Sequence, residues 1–251
     1  MENELFGTIR DNYFMASSEI WRWNSYQNFF VRFIVFPWLI VVSIIMKTIG
    51  FLFGLGVILD LVSVWLQKTR NSVVHVIESS AYNLRYEAFS YFTSPVKSLI
   101  LAPIVLFLGI IPKWSSTIAV AIHPDLDVSY GIEHGYFIKA GKAYLKLSKM
   151  LFICINKHGI LVGIFALIIA TIFSPITLLI AFFFFSLIIL DWIGWLVGLL
   201  RKFVVSSSMT MANLSGKNIG TVVLMPILLT LFVPVYIALL LIPKIATYDE
   251  N

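Results

Sequence analysis

Asp60 and Asp191 are the residues of this chain best placed to do chemistry. Each stands inside a long apolar run, and they lie 191 − 60 = 131 positions apart. A carboxylate in lipid is costly, and where one occurs it commonly binds a cation or relays a proton. A carboxylate of this kind can also accept from the free backbone N–H groups at a helix start. A third role is to pair with an arginine, and Arg70 and Arg201 follow the two aspartates at equal spacing.

Other ionisable residues form weaker patterns. His123, Asp125, Asp127, Glu133 and His134 supply imidazoles and carboxylates of the type that hold zinc. Their spacing fits no zinc signature, and Pro124, Gly131 and Gly135 suit a loop, so no metal is expected and the cluster is only a weak candidate. Lys139, Lys142, Lys146 and Lys149 fall on one helical face, opposite Phe137, Ala140, Tyr144, Leu147 and Leu151. A lysine-striped amphipathic helix suits an interface of anionic lipid headgroups, or else a solvated face. The single Cys154 excludes an intrachain disulfide. No G-x-S-x-G, P-loop, H-E-x-x-H or dinucleotide fingerprint occurs in a fitting context, so no cofactor and no enzymatic activity are expected.

The elements that position these residues come from an internal repeat. Shifted by 131 positions, Ile49–Asp60 lies over Ile180–Asp191 without a gap, and Arg70 meets Arg201. Pro95, Pro103, Pro112 and Lys113 meet Pro226, Pro234, Pro243 and Lys244. Apolar matches are cheap in such a chain, but three prolines and three charges at one offset are not. The expected fold is an all-α integral membrane protein of two tandem repeats, residues 1–119 and 132–251, joined by a linker at 120–131. Each repeat would hold an amphipathic helix, a hydrophobic helical hairpin ending in its aspartate, and a proline-punctuated apolar segment.

Composition agrees with that class. Hydrophobic residues make up 59% of the chain and charged ones 12%, and mean hydropathy is +0.93, outside the soluble range. The start of the chain carries Glu2, Glu4 and Asp11 and does not read as a secretory signal. The expected hairpin tips are Lys47-Thr48-Ile49-Gly50 in the first copy and Ser174-Pro175 in the second, with arms short enough to re-enter one leaflet. Ser206–Asn218 reads as a loop, and the segment with Lys97 as too short to span. Residues 1–28 read either as a helix on the membrane surface or as one packed on the protein.

Lysine and arginine fall almost wholly outside the apolar runs, and no basic patch with stacking aromatics suggests nucleic acid. Placing the polar segments on the cytoplasmic side requires an even number of crossings per copy, hence parallel repeats about an axis along the membrane normal. In a bacterium that membrane would be the inner one. The layout is similar in outline to membrane-shaping hairpin proteins. The expected function is a non-catalytic scaffold or subunit of a larger membrane assembly, for secretion, transport or membrane shaping. Its partners would be lipid, other membrane subunits or further copies of itself. The alternative is a small ion or solute transporter or channel component using Asp60 and Asp191.

Overall fold

The computed structural model describes residues 5–111, 135–157 and 159–241, without the side chains of Asp60, Asn156 and residues 239–241. The 120–131 linker and the cluster of His123, Asp125, Asp127, Glu133 and His134 lie outside the described residues. Those that are described form eight α-helices and no strand. They are α1 (Leu5–Ser25), α2 (Phe29–Leu55), α3 (Val57–Asn83), α4 (Ser90–Ile110), α5 (Tyr136–Ile153), α6 (Ile160–Ser186), α7 (Ile188–Leu214) and α8 (Ile219–Leu241). Four helical stretches, Phe29–Asn83, Ser90–Ile110, Ile160–Leu214 and Ile219–Ala238, are long and apolar enough to cross a membrane.

Helix bounds recur at the sequence offset. Adding 131 to the bounds of α2 and α3 gives those of α6 and α7, and the starts of α1 and α5 and the ends of α4 and α8 differ by the same number.

The expected hairpin tips are not where the chain breaks. Lys47–Gly50 lies inside α2, and Pro175 lies inside α6. Proline removes one helical donor, but the backbone there gains others. The Thr177 hydroxyl is 3.0 Å from the Phe173 carbonyl, and the Ser148 hydroxyl donates to that of Ser174 at 3.2 Å. Membrane helices tolerate proline when neighbours supply such bonds. The interruptions fall instead at Gly56 (φ −70, ψ −12) and Leu187 (φ −86, ψ 6). One residue with near-helical dihedrals bends a rod, whereas turning it back takes a connection of about 2–5 residues.

True reversals lie elsewhere. Tyr26-Gln27-Asn28 joins α1 to α2, and the Asn28 side chain caps α2 by accepting from Val31 N–H at 3.0 Å. The Arg32 guanidinium donates back to the Asn24 carbonyl at the end of α1 at 3.0 Å. A 3₁₀ turn at Ile155–Lys157, followed by Gly159 at φ +87, joins α5 to α6. Ser206–Leu214, expected as loop, is the last part of α7. Its hydroxyls are absorbed by their own helix, Ser207 donating to the Phe203 carbonyl and Thr210 to that of Ser206. The Lys97 segment forms the 21 residues of α4, one of the stretches long enough to span.

The compact units do not run with the halves of the chain. Unit 1 takes Met1–Val64 and Val197–Pro243, so it joins α1, α2 and the start of α3 to the end of α7 and α8. Unit 2 takes Trp65–Lys113 and Val128–Leu196, so it joins the end of α3 and α4 to α5, α6 and the start of α7. Each unit has its own core. In unit 1, Ile9, Tyr13, Ala16 and Ile20 of α1 pack with Val42 and Met46 of α2, Val205 and Ala212 of α7, and Leu229 and Tyr236 of α8. In unit 2, Phe137, Ala140 and Tyr144 of α5 pack with Val74 and Ile77 of α3, Val105 of α4, and Ala181 and Phe184 of α6. The apolar faces of α1 and α5 are thus buried in protein.

Candidate functional site

Of the ionisable residues singled out above, Asp191 and Arg70 both lie in unit 2, near the start of α5. Asp191, only 1% exposed, projects from the first turn of α7. Its Oδ2 accepts from the backbone N–H groups of Phe137 at 3.0 Å and Ile138 at 3.1 Å. The first N–H groups of a helix have no acceptor within it and carry its positive dipole end, so a carboxylate there is favoured twice. Asp191 therefore caps α5, a helix to which it does not belong. Gly135 makes this possible, because a Cβ there would stand 2.3 Å from the carboxylate.

Arg70 does the opposite job at the end of α4. Fully buried, it donates from Nε to the Leu108 carbonyl at 2.8 Å and from Nη2 to that of Ile111 at 2.6 Å. The last carbonyls of a helix are its negative end and lack donors, which suits a guanidinium. Tyr136 closes the cluster. Its ring lies 5.8 Å from the Arg70 guanidinium carbon, and its hydroxyl donates to the Val105 carbonyl at 3.0 Å. Burial pushes the phenol pKa values of Tyr136 and Tyr144 up, so both stay neutral donors. The carboxylate and the guanidinium lie within electrostatic reach of each other. The arrangement thus holds two opposite charges on backbone groups.

Arg201, 1% exposed, is buried in unit 1 as Arg70 is in unit 2. Asp60 lies on α3, but its side chain is outside those described. Among the described residues no group of histidine, cysteine, aspartate and glutamate could hold a metal ion. Lys142 and Lys149 are exposed on α5, while Lys139 and Lys146 are half-buried. Lys146 Nζ sits 3.7 Å from the centre of the Tyr82 ring.

Sequence reasoning missed a set of polar contacts made once in each unit. The Tyr13 hydroxyl donates to the Leu229 carbonyl at 2.8 Å, and that of Tyr144 to Ser98 at 2.6 Å. Ser17 and Ser43 share a hydrogen bond of 2.7 Å, and Ser148 and Ser174 one of 2.6 Å. Tyr13 stacks on Phe53 at 5.9 Å, and Tyr144 on Phe184 at 5.5 Å. Every second member is 131 positions from the first, and all but the carbonyl-bearing Leu229 and Ser98 are identical residues at the offset already in use. The tyrosine bonds also cross between the halves of the chain in opposite senses.

Where the pairs differ, they differ in compensating ways. Asn12 donates to Ser208 at 2.7 Å inside unit 1, while the matching Ala143 and Ile77 of unit 2 are both buried and apolar. The Arg10 side chain packs where a Cβ on Gly54 would come within 3.3 Å of it, and in unit 2 Phe185 packs where a Cβ on Gly141 would come within 2.8 Å, with large and small exchanged.

One groove is notable. In unit 1, about 420 Å³ opens between α7 and α8, lined by residues that include Phe203, Ser207, Thr210, Met211 and Leu228. The Ser207 and Thr210 hydroxyls donate to α7 carbonyls, and Ser206 also lines the groove. Comparison of the chain with protein-family models, curated proteins and solved structures finds no match.

Proposed function

We propose that this is a non-catalytic membrane protein, a scaffold or subunit of a larger membrane assembly, built from two interlaced copies of one helical module. What carries the reading is the use made of the buried charges. An ion or proton site needs a carboxylate free to exchange its ligand, and Asp191 spends its oxygen on two backbone N–H groups of α5. Arg70 spends two donors on backbone carbonyls of α4. Charges committed in this way fix helix ends and leave little for transport.

Interlacing adds to this reading. Tyr13 in the first half bonds Leu229 in the second, and Tyr144 in the second bonds Ser98 in the first. Each compact unit therefore needs helices from both copies, which suits a scaffold that others assemble on. Lipid and further membrane subunits are its proposed partners, with the polar segments on the cytoplasmic side.

The test replaces Asp60 and Asp191 by Asn in the full chain, then follows both assembly and flux. A scaffold loses assembly or stability together with any other property, and the proteins that co-purify in mild detergent change with it. Assembly that stays intact while ion or solute flux disappears would overturn the reading in favour of a transporter.

A further inference from the structure

Unit 2 has two chemically different sides. On α6 the large exposed residues are apolar at helical spacing, among them Ile168, Ile172 and Leu179, while α4 exposes Ile100 and Phe107 together with Lys97. On α5 and the end of α3 the exposed residues include Lys142, Lys149, Lys68, Ser72 and His75. The exposed face of α6 is thus apolar, and the middle of α5 exposes lysine. The register between α5 and α6 decides what this means in a membrane.

Three contacts set that register. Gly141 lies against Phe185, the Ser148 hydroxyl meets that of Ser174, and Ile155 lies against Gly163. The two helices therefore run antiparallel, side by side, with Lys149 abreast of Ser174, close to the middle of the 27-residue α6. If α6 crossed the bilayer, the exposed ammonium of Lys149 would stand near the bilayer centre, with Lys142 further along at membrane depth. Such a charge is among the costliest groups to place there, and it has no carboxylate partner on its own helix. If α6 instead lies along the surface, the whole lysine face rises together to headgroup level, where anionic phosphates attract it.

We propose that unit 2 lies in the plane of the membrane, within one leaflet, with the apolar face of α6 in hydrocarbon and the α5 lysines on anionic phospholipid headgroups. The inference rests on the membrane reading above and adds how the unit enters. The matching positions of α1 are Thr8, Asp11, Met15 and Ser18, so the basic face belongs to unit 2.

A depth profile tests it. In a full-length Cys154→Ala background, single cysteines at Leu161, Ile168, Ile172, Leu179, Lys142 and Lys149 carry a spin label. The protein is reconstituted in vesicles of phosphatidylcholine with phosphatidylglycerol, and collisions with oxygen and with a water-soluble nickel complex give depth. From Leu161 to Leu179 the helix rises about 27 Å at 1.5 Å per residue. In-plane insertion gives one depth for all four α6 labels and headgroup depth for both α5 labels. A profile that passes through the bilayer centre along α6 overturns the inference and leaves the membrane reading standing. Water-exposed labels throughout α6 overturn both.

Discussion

Removing the Asp191 carboxylate should loosen unit 2 by a predictable amount. In Asp191→Ala, the N–H groups of Phe137 and Ile138, now bonded at 3.0 and 3.1 Å, lose their acceptor in a site only 1% exposed. Each orphaned buried donor costs about 1–3 kcal/mol, and losing the negative charge at a helix start costs roughly another 0.3–1. Some relaxation is certain, so the expected loss is about 3–5 kcal/mol. Gly135→Ala should do part of the same damage without touching Asp191, because the new methyl would sit 2.3 Å from the carboxylate and drive it off its donors. The two changes therefore should not add. Once the carboxylate is gone, the methyl has room, and the double variant should recover about 1–3 kcal/mol relative to the sum. Unfolding in mixed detergent micelles, followed by circular dichroism on wild type, both single variants and the double, gives the cycle. A cost below about 1 kcal/mol for Asp191→Ala, or strict additivity with Gly135→Ala, would refute the capping argument.

Two further outcomes follow from the interlaced contacts. Tyr13→Phe and Tyr144→Phe each remove one hydroxyl bond to a buried carbonyl, so each should cost about 0.5–1.5 kcal/mol by the same unfolding assay. Because they lie in different units, the double variant should cost the sum; strong coupling would contradict the division into units. Gly216→Ala would place a methyl 2.5 Å from the Glu19 carbonyl oxygen, a backbone atom that no side-chain rotation can move away. A loss of about 1–3 kcal/mol is expected, and an unchanged melting temperature would deny the close approach of the α7–α8 turn to α1.

Much was legible without coordinates. The all-helical class follows from long runs of leucine, isoleucine and phenylalanine, which in lipid must satisfy every backbone group internally. The spacing of 131 was readable because proline, aspartate and arginine are rare in such runs and cannot recur at one offset by accident. That Asp191 could cap a helix was also readable from its chemistry. Which helix it caps was not, because the acceptor stands 54 residues from the donor in the sequence.

Break points were misread for a local reason. Proline and lysine look like punctuation in a single strand of text, yet α6 carries Pro175 in its interior, with the Thr177 and Ser148 hydroxyls donating to the nearby Phe173 and Ser174 carbonyls. Composition and periodicity, then, determined an all-helical chain with helices long and apolar enough to cross a membrane, and a residue pattern that recurs at 131 positions. Only the tertiary structure decided that the halves are exchanged, since Tyr13 would read the same whether its hydroxyl met its own copy or, as it does, Leu229 of the other. Burial of a hydrogen-bonding group demands a partner but does not say from which part of the chain the partner comes.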